Sequence, residues 1–243
     1  MARIAPPSDL ADLVEQHWVV RWDRRALPPL RREVLPDPSV NLSVEPMGCL
    51  LHGPGAGRSL HELTGVGMVI GTKFRPGGFS GFCPGPVSAL RGRALTLTDA
   101  FGSAGSQLDV TLATRVDIEA ILEAITTFLR AHRPAPDPHQ TLAMDVVAAM
   151  RSAAPGTQVR DLAAGFGIST RTLQRLFAEH VGVSPKQVLQ RFRRQLATDR
   201  LREESASNLS RLAAELGYFD QAHLARDLRE TLGRGPSGLR ANG

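Results

Sequence analysis

Leu-Ala-Ala-Gly-Phe-Gly at residues 162–167 returns as Leu-Ala-Ala-Glu-Leu-Gly at residues 212–217, fifty positions later. Further along the chain the offset is fifty-one, because Gly182 corresponds to Gly233. One residue has therefore entered the turn of the second copy. A repeat of this length predicts a supersecondary unit that occurs twice.

The first copy has the pattern of a helix-turn-helix. Ala163 is small enough for a second helix to approach closely, and Gly167 suits the positive-φ position of a tight turn. Ser169 can cap the helix that follows. The apolar residues of that helix recur on one face: Leu173, Leu176 and Phe177. The pattern predicts a recognition helix with an exposed polar face.

The residues left on that outer face are candidates for DNA contact. They are Thr170, Arg171, Thr172, Gln174 and Arg175. Arginine can bond guanine in two places in the major groove, and glutamine can do the same with adenine. The alternative is a solvated helix face, since both residue types favour exposed helical positions.

The second copy repeats the design with fewer donors. Asp220 takes the cap position, and the candidate DNA contacts are Gln221, His223 and Arg226. Ala222 and Ala225 stand where the first copy has Arg171 and Gln174. We therefore expect the first helix to contribute more base-specific energy, and the second to contribute more positioning.

Between the copies, residues 184–187 read Ser-Pro-Lys-Gln, a capping box with proline at the first helical position. A long helix to about Glu204 would act as a strut between the two units. Five arginines on it are candidates for phosphate contact: Arg191, Arg193, Arg194, Arg200 and Arg202. Alternatively, several of them form ion pairs with Asp199, Glu203 and Glu204.

Charge supports an anionic partner for this half. Residues 139–243 carry 15 Arg and Lys against 10 Asp and Glu, whereas residues 1–138 carry 14 of each. The net charge of +5 therefore lies entirely in the half with the repeat. DNA is the first candidate, and a solvated basic face is the alternative.

The first half has strand patterns divided by turns. The predicted strands are 17–23, 33–35, 40–44, 50–52, 60–63 and 66–74, with the last two paired around Gly65. Pro76-Gly77-Gly78 predicts a tight turn. Short strands at this spacing indicate an antiparallel sandwich or small barrel up to about Leu97. The predicted fold class is thus α+β, with an all-α C-terminal domain.

Helices are also predicted in the first half. Residues 8–16 have the pattern of a short helix, and apolar residues between 116 and 130 recur at helical spacing. The second helix either packs on its own barrel or contributes to a homodimer. Three alternating prolines at 132–138 predict a linker, followed by a helix from Asp137 to about Ser152.

These patterns divide the chain into domains. Residues 1–131 form a β-rich regulatory or dimerisation domain, and 139–243 form a DNA-binding domain with helix-turn-helix units at about 157–181 and 207–232. No apolar run reaches the ~20 residues that span a bilayer, and no signal peptide is evident. We expect a cytoplasmic protein with reduced thiols at Cys49 and Cys83.

Residues 212–224, closed by Gly-Arg-Gly-Pro at 233–236, resemble the AraC-type (AraC/XylS) family of bacterial transcription regulators. The first copy matches at 169–177 and 182–185. The resemblance spans roughly residues 140–240. The first half is similar to a β-barrel domain found in one branch of that family, through residues 35–42 and 74–79.

The resemblance implies a function. The two units would dock in successive major-groove segments, about one turn or ~34 Å apart. The family implies transcription activation with RNA polymerase, often under a small-molecule effector bound by the N-terminal barrel. We expect no cofactor and no membrane partner.

The rival interpretation is a cupin-like metal-dependent enzyme fused to a DNA-binding module. Cys49, His52, His61 and Glu62 are close in sequence but lack a recognisable ligand spacing. Arg75 could contact a ligand carboxylate, or it could simply be exposed beside its turn. We expect no metal site and no catalytic residues.

Overall fold

A computed structural model describes residues 1–34, 36–55, 59–203 and 209–232. The chain forms two compact units. The first comprises Met1–Met144 together with Arg175–Val183, and the second comprises Asp145–Gln174 together with Ser184–Gly243. Within the described residues, no helix combines the length and the apolar character needed to cross a membrane.

The first unit is built on antiparallel strands. They are β1 (Ala2–Ile4), β2 (Val14–Asp23), β3 (Leu30–Val34), β4 (Asn41–Glu45), β5 (Gly48–His52), β6 (Ser59–Leu63), β7 (Val66–Phe74) and β8 (Ala94–Thr96). Six of them form a sheet in the order β1-β2-β7-β4-β5-β8, and β3 and β6 form a separate two-stranded ribbon. The predicted antiparallel domain is confirmed, but the sheet is open rather than closed into a barrel. Its edges are β1 and β8, each only three residues long.

One helix prediction near the N-terminus needs correction, and one strand begins earlier than predicted. The predicted helix at 8–16 is wrong, because the helical part is a 3-10 turn at Ser8–Leu10 and β2 begins at Val14. Cross-strand pairing of Val14 with Phe74 outweighs the local helical pattern. The predicted strand at 33–35 is β3, although Leu35 lies outside the described residues.

The predicted pairing around Gly65 is also wrong. β6 pairs with β3, whereas β7 lies between β2 and β4 in the larger sheet. Gly65 has a φ of 57°, so the chain leaves β6 through a left-handed residue and enters a different sheet. The turn at Gly77 is confirmed: its φ is 95°, and the Gly78 N–H donates to Arg75 O at 2.7 Å.

Two helices cover the core of the first unit. The first, α1 (Leu97–Ala113), was not predicted, and the second, α2 (Ile118–Ala131), matches the prediction at 116–130. Thr96 and Asp99 form a capping box that begins α1 directly after β8. The apolar face of α2 is buried in the domain's own core through Ile121, Ile125 and Leu129.

Six further helices follow among the described residues. They are α3 (Pro138–Arg151), α4 (Val159–Gly165), α5 (Thr170–Leu176), α6 (Pro185–Glu203), α7 (Leu209–Glu215) and α8 (Gln221–Leu232). Of these, α4, α5, α7 and α8 carry the repeat. A π-helical turn, Phe177–Val181, follows α5. The predicted helix starts at Pro138 and Pro185 are confirmed. The domain boundaries inferred from the proline-rich segment stay a prediction.

Candidate DNA-binding surface

The turn of the first copy is held by backbone hydrogen bonds around a left-handed glycine. Gly167 has a φ of 67°, and its N–H donates to Ala164 O at 3.0 Å. The next N–H, of Ile168, donates to Ala163 O at 3.0 Å, while the Ala163 side chain is buried. The small residue and the turn glycine therefore occupy the places that the sequence predicts for them.

Ser169 caps α5 as predicted. Its hydroxyl accepts the Thr172 N–H at 3.0 Å and lies 2.9 Å from the Thr172 hydroxyl. Thr172 is half-buried in this cap, so its side chain is engaged locally. Leu173, on the apolar face of α5, is completely buried. The cap and the apolar face together fix which side of α5 faces outward.

The other candidate side chains of α5 lie on that exposed side. Within the described residues, no hydrogen bond or ion pair engages the side chains of Thr170, Arg171, Gln174 and Arg175. Spacings of three and four residues place Arg171, Gln174 and Arg175 on one helical face. The structure thus presents two guanidinium groups and one amide together, free to meet a partner.

The second copy has the same local geometry. Gly217 has a φ of 71°, and the Tyr218 N–H donates to Ala213 O at 2.9 Å. Asp220 Oδ1 accepts the His223 N–H at 2.7 Å, which caps α8. The turn and the helix cap of the second copy therefore confirm the predicted duplication.

The predicted contact residues of α8 are exposed but more engaged. Gln221 Oε1 accepts a hydrogen bond from Ser210 Oγ at 3.0 Å. His223 Nδ1 accepts from the Phe219 N–H at 3.5 Å, and its ring lies edge-on to Tyr218 with centroids 5.3 Å apart. Arg226 alone of the three has no side-chain partner within the described residues. The two outer faces therefore differ: Gln221 and His223 on α8 have intramolecular partners, whereas Arg171, Gln174 and Arg175 on α5 have none within the described residues.

Asp227 anchors α8 through a polar cluster that the sequence analysis did not identify. Its Oδ1 accepts from Arg194 Nε at 2.9 Å, and its Oδ2 accepts from the Tyr218 hydroxyl at 2.8 Å. Burial first, and then the nearby Asp227 carboxylate, raises the pKa of Tyr218 well above its usual value. The Arg194–Asp227 pair joins residues that are 33 positions apart, so only the folded chain reveals it.

The strut helix α6 is capped as predicted. The Gln187 N–H donates to Ser184 Oγ at 3.3 Å, and the Ser184 N–H donates to Gln187 Oε1 at 3.1 Å. Of the arginines predicted to contact phosphate, Arg194 pairs with Asp227 and Arg193 donates to Thr157 O at 3.5 Å. The side chain of Arg202, like residue Glu204, lies outside the described part of the chain. Arg194 is therefore structural.

The residues of the rival metal site lie on different sheets. Cys49 and His52 are on β5, whereas His61 and Glu62 are on β6 of the ribbon. Among the described residues, no group of three or more His, Cys, Asp or Glu side chains could hold a metal ion. Burial and nearby Asp109 raise the pKa of the Cys49 thiol to about 12, so at neutral pH it carries its proton.

Arg75 has a structural partner. Its Nε donates to Ala11 O at 2.7 Å, and its side chain is half-buried. This bond ties the end of β7 to the segment before β2. The alternative of a freely exposed Arg75 is therefore wrong, since its Nε is bonded within the fold.

Each half of the chain matches a known domain family. Residues 162–242 match the family described as Helix-turn-helix domain, and residues 2–96 match a Domain of unknown function (DUF6597). A search of curated protein sequences found no match.

Several solved structures are similar at low identity. A transcriptional regulator with an AraC-type DNA-binding domain from Chromobacterium violaceum is 22% identical over 42% of this chain and 91% of its own, with a TM-score of 0.39. A DNA-binding transcriptional dual regulator from Escherichia coli K-12 is 19% identical, covering 44% and 94%, with a TM-score of 0.38. ToxT from Vibrio cholerae is 9% identical, covering 94% and 99%, with a TM-score of 0.43.

The helix-turn-helix match covers the end of α4, both turns and both outer helices. Residues 162–242 therefore form a helix-turn-helix domain of the AraC type.

Proposed function

We propose that this regulator binds double-stranded DNA sequence-specifically by inserting α5 and α8 into successive major-groove segments. The observation that carries the proposal is the unengaged face of α5, where Arg171, Gln174 and Arg175 project together. Side chains of these types recognise guanine and adenine edges by paired hydrogen bonds. The excess of basic residues in 139–243 adds attraction to phosphate.

We also propose that the two helices share the work unequally. On α5, two arginines and one glutamine are available for base edges. On α8, alanines occupy two corresponding positions, and Gln221 and His223 already have intramolecular partners. Arg226 then serves mainly to hold α8 in the groove, because alanines stand at 222 and 225 and a single guanidinium supplies limited sequence discrimination.

Effector responsiveness and contact with RNA polymerase belong to the same proposal and rest on the family. The N-terminal unit is the place for a small-molecule effector. A thermal-shift screen with small metabolites tests this, because a ligand that binds the native unit raises its melting temperature. A response confined to the C-terminal part would contradict a sensory N-terminal unit.

Selection of bound duplexes from a random DNA pool tests the central proposal. We expect an asymmetric site with two contacted segments about one helical turn, or ~34 Å, apart. The segment facing α5 should show the stronger base preference. Recovery of sites with a single contacted segment would contradict insertion of both helices, and loss of all sequence preference would contradict specific binding.

A further inference from the structure

The ribbon formed by β3 and β6 is exposed to an unusual degree. All five residues of β3 are exposed, including Leu30 and Val34, and Leu60 on β6 is 71% exposed. Among the described strands, β3 pairs only with β6, so its outer edge carries backbone groups without a strand partner. A two-stranded ribbon by itself is only marginally stable in water. An edge of this kind is a template for pairing with another strand.

The sequence of β3 is complementary to itself in the antiparallel direction. It reads Leu-Arg-Arg-Glu-Val from Leu30 to Val34. If two copies pair antiparallel with Arg32 at the centre, Leu30 lies opposite Val34 of the second copy, and Arg31 lies opposite Glu33. Each favourable pair occurs twice, because the arrangement has two-fold symmetry. Apolar pairs and opposite-charge pairs directly across a sheet stabilise strand pairing.

The other strand of the ribbon lacks this property. β6 reads Ser-Leu-His-Glu-Leu, so pairing of two copies around His61 would place Leu60 opposite Glu62. The complementarity is therefore specific to β3. The opposing alternative, an edge charged to prevent pairing, works by repulsion between like charges. In β3 the two positions that flank Arg32 carry opposite charges, and the antiparallel register places Arg31 of one copy opposite Glu33 of the other.

We infer that β3 pairs with β3 of a second copy of this chain across a two-fold axis at Arg32. The result is a four-stranded antiparallel sheet in which each β3 lies between its own β6 and the other β3. Leu30 and Leu63 are paired within the ribbon, so Val34 of the second copy extends an apolar row. Arg31 lies 3.5 Å from Glu62 and would gain Glu33 of the second copy on its other side.

The two Arg32 side chains meet at the axis, and this is the unfavourable pair of the register. In the single chain, Arg32 donates toward Met1 Sδ at 3.6 Å, so its guanidinium is already directed toward its own N-terminus. The register thus has four favourable pairs, two apolar and two of opposite charge, and one unfavourable pair. The two Arg32 side chains of that pair are long enough to separate into solvent. Helix α2 offers no comparable surface, since its apolar face is buried within the unit.

Disulfide trapping tests the register in the full chain. In Cys83→Ser protein, which keeps the buried Cys49, we expect Arg32→Cys to cross-link two copies readily. Directly opposed residues have Cα atoms roughly 4.5–5.5 Å apart, which suits a disulfide. Leu30→Cys is the matched control, because its two copies would lie roughly 14 Å apart along the strands. Equal cross-linking of both variants, or none at Arg32→Cys, would overturn the inference.

Sedimentation equilibrium tests the charge pattern independently. The wild-type chain should show twice its mass of 26.2 kDa. Glu33→Arg alone and Arg31→Glu alone each place like charges opposite one another, so each should dimerise at least about tenfold more weakly. Mixing the two variants restores opposite charges at both positions, and we expect the dimer to return.

A control reversal on the exposed face of α2, Glu123→Arg, should leave the dimer unchanged. A monomeric wild-type chain at all concentrations, or single variants that dimerise like wild type, would overturn the interface. Neither outcome bears on the proposed DNA contacts, which are measured separately with duplex DNA.

Discussion

Arg194 on α6 donates a hydrogen bond to Asp227 on α8 at 2.9 Å, and both side chains are about four-fifths buried. The Tyr218 hydroxyl completes the cluster from the turn of the second copy. One carboxylate thus connects α6, the turn of the second copy and α8. The orientation of α8 therefore depends on Asp227, which is largely buried, although its neighbour Arg226 is exposed.

Replacement of Asp227 by alanine should strongly destabilise the second unit. The change leaves Arg194 largely buried without its anion and removes the acceptor of Tyr218, at a cost of about 2–4 kcal/mol. Tyr218→Phe removes only one hydrogen bond and should cost about 1 kcal/mol. Urea unfolding followed by circular dichroism measures both changes in the free energy of unfolding.

Arg229→Ala on the exposed side of α8 is the control for this pair of variants and should stay within about 0.5 kcal/mol of wild type. If Asp227→Ala proves as mild as Arg229→Ala, the cluster does not anchor the helix.

The two turn glycines should respond differently to alanine. Both have positive φ, so each substitution costs roughly 1–2 kcal/mol in backbone strain. A Cβ on Gly167 meets nothing within 4 Å, whereas a Cβ on Gly217 would lie 2.7 Å from the backbone nitrogen of Gly156. Gly217→Ala should therefore cost about 1–3 kcal/mol more than Gly167→Ala. Equal losses in thermal unfolding would show that the loop at Gly156 yields without cost.

Arg175 and Arg226 occupy corresponding positions and test the unequal sharing of DNA recognition. Arg175→Ala should weaken binding to the selected site by about 1–3 kcal/mol and relax its base preference. Arg226→Ala should weaken binding to selected and scrambled duplexes by similar factors. Fluorescence anisotropy at several salt concentrations separates these effects. A larger sequence-specific loss at Arg226 would reverse the assignment.

Burial of His17 should make the first unit less stable in acid. His17 is 2% exposed, its Nδ1 lies 2.9 Å from Thr72 Oγ1, and burial lowers its pKa. The unfolded chain takes up a proton near pH 6.5, and the native chain does so only at a lower pH. The unfolded state therefore binds more protons, so the free energy of unfolding falls as pH drops below about 6.5.

His17→Gln should flatten this dependence. The fluorescence of Trp18 and Trp22, the two tryptophans of the chain, reports unfolding of the first unit in urea at each pH. Some slope should remain, because burial also lowers the pKa of His180 in the same unit. An unchanged slope in the variant would mean that His17 does not contribute to the acid sensitivity.

The helix-turn-helix units were predictable because their determinants are local. The glycine, the cap and the apolar positions of α5 lie within about ten residues of one another, and each acts on its own backbone. The same is true of the capping box at Ser184. The side-chain engagement of Thr172, Gln221 and His223 was not predictable, since it depends on how the hydroxyl, amide and imidazole are finally oriented.

The pairing of the strands was harder to predict from the sequence. Alternation identifies β6 and β7 as strands but does not state which strands they join, so the ribbon with β3 was missed. Helix α1 escaped prediction because Gly102, with a φ of 62°, interrupts its helical geometry and Gly105 weakens its pattern. Sheet closure likewise depends on long-range geometry that turn residues alone do not determine.

The extra residue of the second copy has a thermodynamic consequence. In the first copy Ile168 is followed directly by the cap Ser169, whereas Phe219 stands between Tyr218 and Asp220 and is 93% exposed. Full burial of a phenylalanine side chain is worth about 1.5–3 kcal/mol, and removing its ring from water lowers heat capacity. Binding of a partner that covers Phe219 at the beginning of α8 should therefore have a more negative heat-capacity change than binding through α5 alone.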